Sequence, residues 1–313
     1  MHLVIPYASA LSEAGAHAAG TLSLAHLERI VGHRDPVDDD AEGLASPDEY
    51  TLSMPYERLL ARLHAWPVRD GLLPWAADAA RADGLDVPAG SGWALLTPAH
   101  WHVGRDQVSL LDPAHVELTE DDARVFHETL APLFRDLGWG FHWGAARRWY
   151  ASHPSLAELP TASIDRAIGR NIDLWLNDHP GILLLRRLQS EAQMLLHVHP
   201  LNEERAERGE ATINSFWLSG TGAAPPPGAR LPAHVRVDER LRAPALAEDW
   251  SAWAEAWQAL DAGPLRELAA RPDALLSLCG ERVARTWRPV ARRWWHAFAG
   301  ARAPSAAVVL RDL

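Results

Sequence analysis

The segment from Leu183 to Gly222 constrains this chain more than any other, because its hydrophobic period changes within a short span. Leu184, Leu185, Leu188, Ala192, Leu195 and Leu196 recur at helical spacing, so a helix is expected from Leu183 to His197. His199-Pro200-Leu201-Asn202 breaks it, since the residue before a proline is pushed out of the helical region. Glu203 to Gly209 reads as a charged turn or short helix, Ile213 to Leu218 as a short apolar strand, and Ser219-Gly220-Thr221-Gly222 as a tight turn. Polar groups therefore gather in two places. His199, Asn202 and Arg205 stand at a helix exit; Asn214, Trp217, Ser219 and Thr221 stand along and beyond a strand. Ligands of open α/β sheets sit outside the carboxyl ends of strands, and a turn of small residues offers backbone amides to an anion. The alternative is structural: Asn202 caps a short helix and the glycines only turn the chain.

The run L-Q-S-E-A-Q-M-L-L-x-x-H-P-L-N-x-x-R-x-x-x-G, closing on I-N-S-F-W-L-S-G-T-G, resembles the archaeal-type cofactor-independent phosphoglycerate mutases. Their pattern is a helix, then H-P-[VL]-N-x-x-R-x-x-x-G, then a strand carrying A-N-x-I-W-L-W-G-Q-G. The matching positions are His199, Pro200, Asn202, Arg205, Gly209, Asn214, Trp217, Leu218, Gly220 and Gly222. The chain as a whole is similar to the RpfE-type regulatory protein family of proteobacteria. The resemblance implies an α/β fold: a sheet flanked by helices, alkaline-phosphatase-like and degenerate, with an inserted α+β subdomain. It implies an N-terminal part over 1–92, the insertion with the signature helix over 93–200, and a C-terminal part over 201–313.

The 313 residues allow two domains or one large one, and 48% hydrophobic content is ample for a core. A net charge of −11 with no basic run argues against general nucleic-acid binding. A single cysteine, Cys279, leaves neither an internal disulfide nor a cysteine-based zinc cage. No apolar run approaches the length of a membrane span and no signal-peptide pattern opens the chain, so a cytoplasmic protein without membrane contact is expected. Fifteen tryptophans, several beside arginine, as in Arg147-Arg148-Trp149 and Arg293-Trp294-Trp295, read as core edges or an oligomer interface, with base stacking a sharper alternative.

Leu3 to Ala8 reads as a buried first strand. Leu22–Val31, Tyr56–Trp66 and Leu72–Arg81 read as helices. The acidic run Asp38-Asp39-Asp40 lacks calcium-loop spacing and reads as a solvated loop. Trp93 to Asp112 alternates like a hairpin turning at Arg105-Asp106, with His100 and His102 on one side but no third metal ligand at a matching spacing. Leu118–Leu137 is a helix capped by Thr119, and Gly140–Tyr150 a further strand pair. In the C-terminal part, strands are expected at His234–Val237, Ala274–Leu278 and Ala307–Leu310, and Trp250, Trp253, Trp257 and Leu260 form a helical core stripe.

Arginine is the natural clamp for phosphate or carboxylate, because its planar fork donates two parallel bonds. The candidate ligand-binding residues are His199, Asn202, Arg205, Asn214 and Trp217, joined by Arg170, Asn171, Arg186 and Arg187 before and along the signature helix. Surface pairing of these arginines with Asp165, Asp173, Glu191 or Glu204 is the competing expectation. The chain departs from the mutases twice. They end the first strand in a metal-binding Asp, where this chain has Pro6-Tyr7-Ala8-Ser9; Ser9 or Ser12 could act as a nucleophile there, but neither has an activating neighbour in sequence. They also place Asp-x-x-x-His and Asp-His pairs on late strands, where this chain has Leu278-Cys279-Gly280-Glu281. The expectation is a mutase-like protein without a metal site or cofactor, binding or regulatory rather than catalytic, for a small phosphorylated or carboxylated ligand. The alternatives are an active phosphomutase or phosphoester enzyme with a rearranged site, and a tryptophan-rich module for a protein partner or a second copy.

Overall fold

The computed structural model describes residues 1–38, 50–228, 230–289 and 304–313. The chain is mixed α/β, with sheets flanked by helices, and divides into two compact units. The first unit comprises residues 1–49, 54–64 and 230–313; the second comprises 50–53 and 65–229. Residues 65–92 and 201–229 thus join the middle of the chain in one unit, whereas the sequence reading cut the chain at 92 and 200.

In the first unit, β1 (His2–Ile5), α1 (Glu13–Thr21), α2 (Ala25–Val31), β2 (Arg34–Asp38) and α3 (Pro55–Leu63) come from the N-terminal side. From the C-terminal side come β9 (Val235–Val237), α9 (Arg242–Leu246), α10 (Trp250–Leu260), α11 (Arg266–Ala269), β10 (Leu275–Cys279), β11 (Ala284–Pro289) and α12 (Ala306–Arg311). The sheet order is β2-β11-β10-β1-β9; β1 runs parallel to both its neighbours, and β11 and β2 run antiparallel. Alternation along β1 sorts the two faces. Leu3 and Ile5, with Leu276 and Leu278, face a core of Leu27, Trp253, Trp257 and Leu310; Val4 and Cys279 pack with Leu59 of α3 on the other side. The tryptophan stripe of α10 is therefore core, while Arg293, Trp294, Trp295 and the pair Asp39-Asp40 lie outside the described residues.

Several elements of this unit are not legible in the sequence, α9, α11 and β11 among them. Arg34–Asp38 was read as loop and Ala307–Leu310 as strand, but the first pairs with β11 and the second lies in α12. A short apolar run such as Ala-Val-Val-Leu fits either period, and packing of α12 on α1 settles it. Helix α1, missed altogether, begins at Ser12, whose hydroxyl accepts the Gly15 N–H at 3.1 Å.

The second unit contains α4 (Trp75–Ala82), β3 (Trp93–Ala99), β4 (Trp101–Val103), β5 (Val108–Leu110), α5 (Glu120–Asp136), β6 (Gly140–Ala145), β7 (Arg148–Ser152), α6 (Ile164–Ala167), α7 (Pro180–His197), α8 (Pro200–Glu207) and β8 (Ser215–Ser219). Its antiparallel sheet has the order β6-β7-β3-β8, and β4-β5 is a separate hairpin through Arg105-Asp106. Helices α5 and α7 cover one face with Phe126, Phe134, Leu188 and Leu196, and α4 covers the other against Trp93 and Tyr150. Among the described residues no helix is long and apolar enough to cross a membrane.

Candidate functional site

The expected helix-break-strand order is present: α7, then α8 capped by His199, then β8. The side chains on it are committed to the protein. Asn202 is buried, and its Nδ2 donates to the carbonyls of Leu196 (2.8 Å) and Ile213 (2.7 Å) while its Oδ1 accepts the Ile213 N–H at 2.9 Å. Both amide donors and the oxygen are thus used within one loop. Arg205 is buried too. Its Nε and Nη2 donate to the Ala211 carbonyl, Nη2 also to Glu117, and Nη1 meets Asp122 at 3.3 Å and Glu210 at 3.1 Å. Its full fork spans the return from α8 to β8.

Asn214 holds the Trp101 backbone from both sides, accepting its N–H at 2.7 Å and donating to its carbonyl at 2.9 Å. Trp217 donates from Nε1 to Ala162 at 3.1 Å and, with Trp175 and Gln189, lines a cavity with room for about one water. His199 accepts the Leu201 N–H on Nδ1, and its Nε2 lies 3.1 Å from Thr129 Oγ1. Asn171 caps the short turn Ile172–Trp175, and the Arg170 N–H bonds the Ala167 carbonyl. Arg186 and Arg187 are exposed on α7, facing Asp173 at 3.4 Å and Glu191 at 2.7 Å. His100 bonds Thr212 and His102 is exposed.

The turn after β8 is spoken for as well. Gly220, at φ 68, accepts the Ala76 N–H at the start of α4, and a Cβ there would come within 3.0 Å of Ala76 N. Thr221 Oγ1 bonds Leu159, Gly71 and Thr161, and the Gly222 N–H donates to Leu156. The sequence pointed to one ligand wall; the structure brings His199, Asn202, Arg205 and Asn214 together as the fastening of a strand to its helices.

A second place carries polar groups that the fold leaves at a strand end. In the first unit the parallel strands β9, β1 and β10 finish side by side at Asp238, Pro6–Ser9 and Gly280–Glu281, where open α/β sheets hold ligands. Asp238 is buried against the β1 edge, its N–H bonding the Val4 carbonyl. Its carboxylate is closed by Arg240 in a two-pronged pair at 2.9 and 2.8 Å. Tyr7 adopts φ 57, uncommon for a residue with a side chain, and its carbonyl accepts from Trp253 Nε1. Ser9 follows, 5% exposed, with an Oγ that makes no hydrogen bond among the described residues. Gly280 is what makes room for it: a Cβ at 280 would lie 2.3 Å from that Oγ. Glu281 accepts the Leu11 N–H at 3.2 Å. Among the described residues, no three His, Cys, Asp or Glu side chains are grouped so as to hold a metal ion. Ser9 and the Gly280-Glu281 strand end stand out in the sequence, whereas the pairing of Asp238 with Arg240 beside them needed the strand order to place it.

No family model matches the chain, and no curated protein matches it. Among solved structures it is similar to the PH0037 protein from Pyrococcus horikoshii, at 11% identity and a TM-score of 0.47 over 93% of this chain and 88% of that one. It is also similar to the cofactor-independent phosphoglycerate mutase from Thermoplasma acidophilum DSM 1728, at 13% identity and a TM-score of 0.39 over 98% of this chain and 94% of that one. At those scores the architecture stands on its own strand order and packing.

Proposed function

We propose that this protein is a phosphoglycerate-mutase-like chain that has given up the metal site and serves as a non-catalytic binding or regulatory protein for a small phosphorylated or carboxylated ligand. The observation that carries this reading is the pairing at the carboxyl ends of the parallel strands. The buried carboxylate at the end of β9, Asp238, is neutralised by Arg240, and β1 ends in a hydroxyl, Ser9, instead of an acid. Two-metal phosphoryl transfer needs several carboxylates and imidazoles held a few ångströms apart. This donor set does not fit such a pair of ions. Ser9 supplies a hydroxyl that an anionic oxygen accepts from. In the second unit, and independently of Ser9, Arg170, Arg186 and Arg187 are the cationic candidates from the signature region, since Arg205 is consumed internally.

The test is a calorimetric titration of the whole protein with 3-phosphoglycerate, run beside a manganese-supplemented assay for its conversion to the 2-phospho isomer. Binding without turnover is expected, with affinity lowered in Ser9→Ala. Turnover that depends on manganese would reject the reading in favour of a catalyst, and silence in both arms would reject the ligand class.

A further inference from the structure

We propose that the outer face of α7 is the contact through which two copies of this chain pair, helix against antiparallel helix, about a two-fold axis near Ser190. The inner face of α7 is filled: Ile182, Leu185, Leu188, Ala192 and Leu196 are buried in the second unit's core. The outer face carries large apolar side chains that the protein leaves in water. Leu183 is 73% exposed, Met194 66% and Val198 68%, with Leu195 beside them. Leu183 near the start of the helix and, toward its end, Met194 and the cap residue Val198 thus share one face with Arg187 and Ser190 between them, and exposed apolar side chains grouped on a face mark interaction surfaces.

The sequence along the stripe identifies the occupant as the same stripe inverted. Positions 183, 187, 190, 194 and 198 follow one another up the face, bearing Leu, Arg, Ser, Met and Val. Set antiparallel with the axis between Ser190 and Glu191, Leu183 meets the second copy's Val198, and the aliphatic stem of Arg187 meets the second copy's Met194. The Arg187 guanidinium then reaches the second copy's Glu191, one helical turn from that methionine. A two-fold contact makes each of these pairs twice, so opposite charge meets opposite charge on both sides of the axis. Ser190, small and exposed at the centre, lets the helix axes approach to about 8–10 Å. Arg187 already holds Glu191 of its own helix at 2.7 Å, so the pair exists in the single chain and exchanges across the axis on association.

The experiment is light scattering on the whole protein across a dilution series, followed by the same measurement on Arg187→Glu, Glu191→Arg and an equimolar mixture of the two. The unmodified protein is expected at twice the 34.5 kDa chain mass. Each single variant sets like charges against each other and is expected to weaken pairing by about tenfold or more. Mixing restores pairing, since one chain then presents only acids and the other only bases at the two positions. Arg187 is exposed and Glu191 partly so, and unchanged circular dichroism separates a lost contact from a lost fold. A single-chain mass for the unmodified protein at all concentrations overturns the proposal. So do single variants that pair undiminished, or a mixture that does not recover.

Discussion

Asn202 shows how a residue that looks like a ligand group becomes a fastening. An asparagine after a proline at a helix exit has two donors and an acceptor close to backbone groups that no helix or strand satisfies. Here all three meet the carbonyls of Leu196 and Ile213 and the Ile213 N–H. Asn202→Ala is therefore expected to leave those buried groups unsatisfied and to destabilise the fold by about 2–4 kcal/mol, read as a lower urea midpoint, while Arg105→Ala at the exposed hairpin turn changes it by less than about 0.5 kcal/mol. His127 makes a pH prediction at the same scale. It stacks on Phe141 with ring centroids 4.1 Å apart and lies edge-on to Trp143 and Trp149. Burial pushes its pKa down to about 4, against the bond it makes to the His142 backbone. The unfolded chain takes up this proton more readily than the folded one, so stability is complete above pH 6.5 and falls as pH drops towards 4. Urea midpoints across that window should decline with the native histidine and decline less in His127→Gln; equal slopes would remove His127 as the cause.

At the scale of elements, α7, α8 and β8 were legible because each announces itself locally. Leucines at helical spacing and a glycine pair after an apolar run need no partner to be recognised, whereas Pro200, expected within a break, opens α8. Thr119 capping α5 belongs with them, its hydroxyl accepting the Asp122 N–H at 3.1 Å. What the hydrophobic pattern could not carry was the work these elements do. The H-P-L-N-x-x-R order reads equally as an anion pocket or as a clasp, and the difference lies in where Ala211, Glu117 and Asp122 arrive from elsewhere in the chain. Arg205→Met should expose that clasp. Removing one partner of a buried ion pair costs about 3–5 kcal/mol, so a large drop in melting temperature is expected, with Arg205→Lys recovering little of it because an ammonium lacks the fork.

At the scale of the whole molecule, the two units each own a core, one around Trp253 and Trp257 and the other around Phe126, Phe134 and Phe216. Truncating a buried aromatic costs about 3–5 kcal/mol. Trp257→Ala and Phe216→Ala are expected to lower different parts of the calorimetric unfolding profile; a single peak that moves identically in both variants would mean the cores unfold as one. The sequence by itself determined much of the helical content, the buried first strand, the antiparallel strand pair after α5 and the acidic surface charge, since period, capping and composition are properties of neighbouring residues. Only the tertiary structure decided that β2 and α12 exist as they do and that β9, β1 and β10 run parallel with Asp238 closed by Arg240. It also decided that the signature residues face inward to backbone partners. Those outcomes depend on groups far apart in the chain meeting at hydrogen-bond distance, and a linear pattern does not encode which of its polar groups will be met.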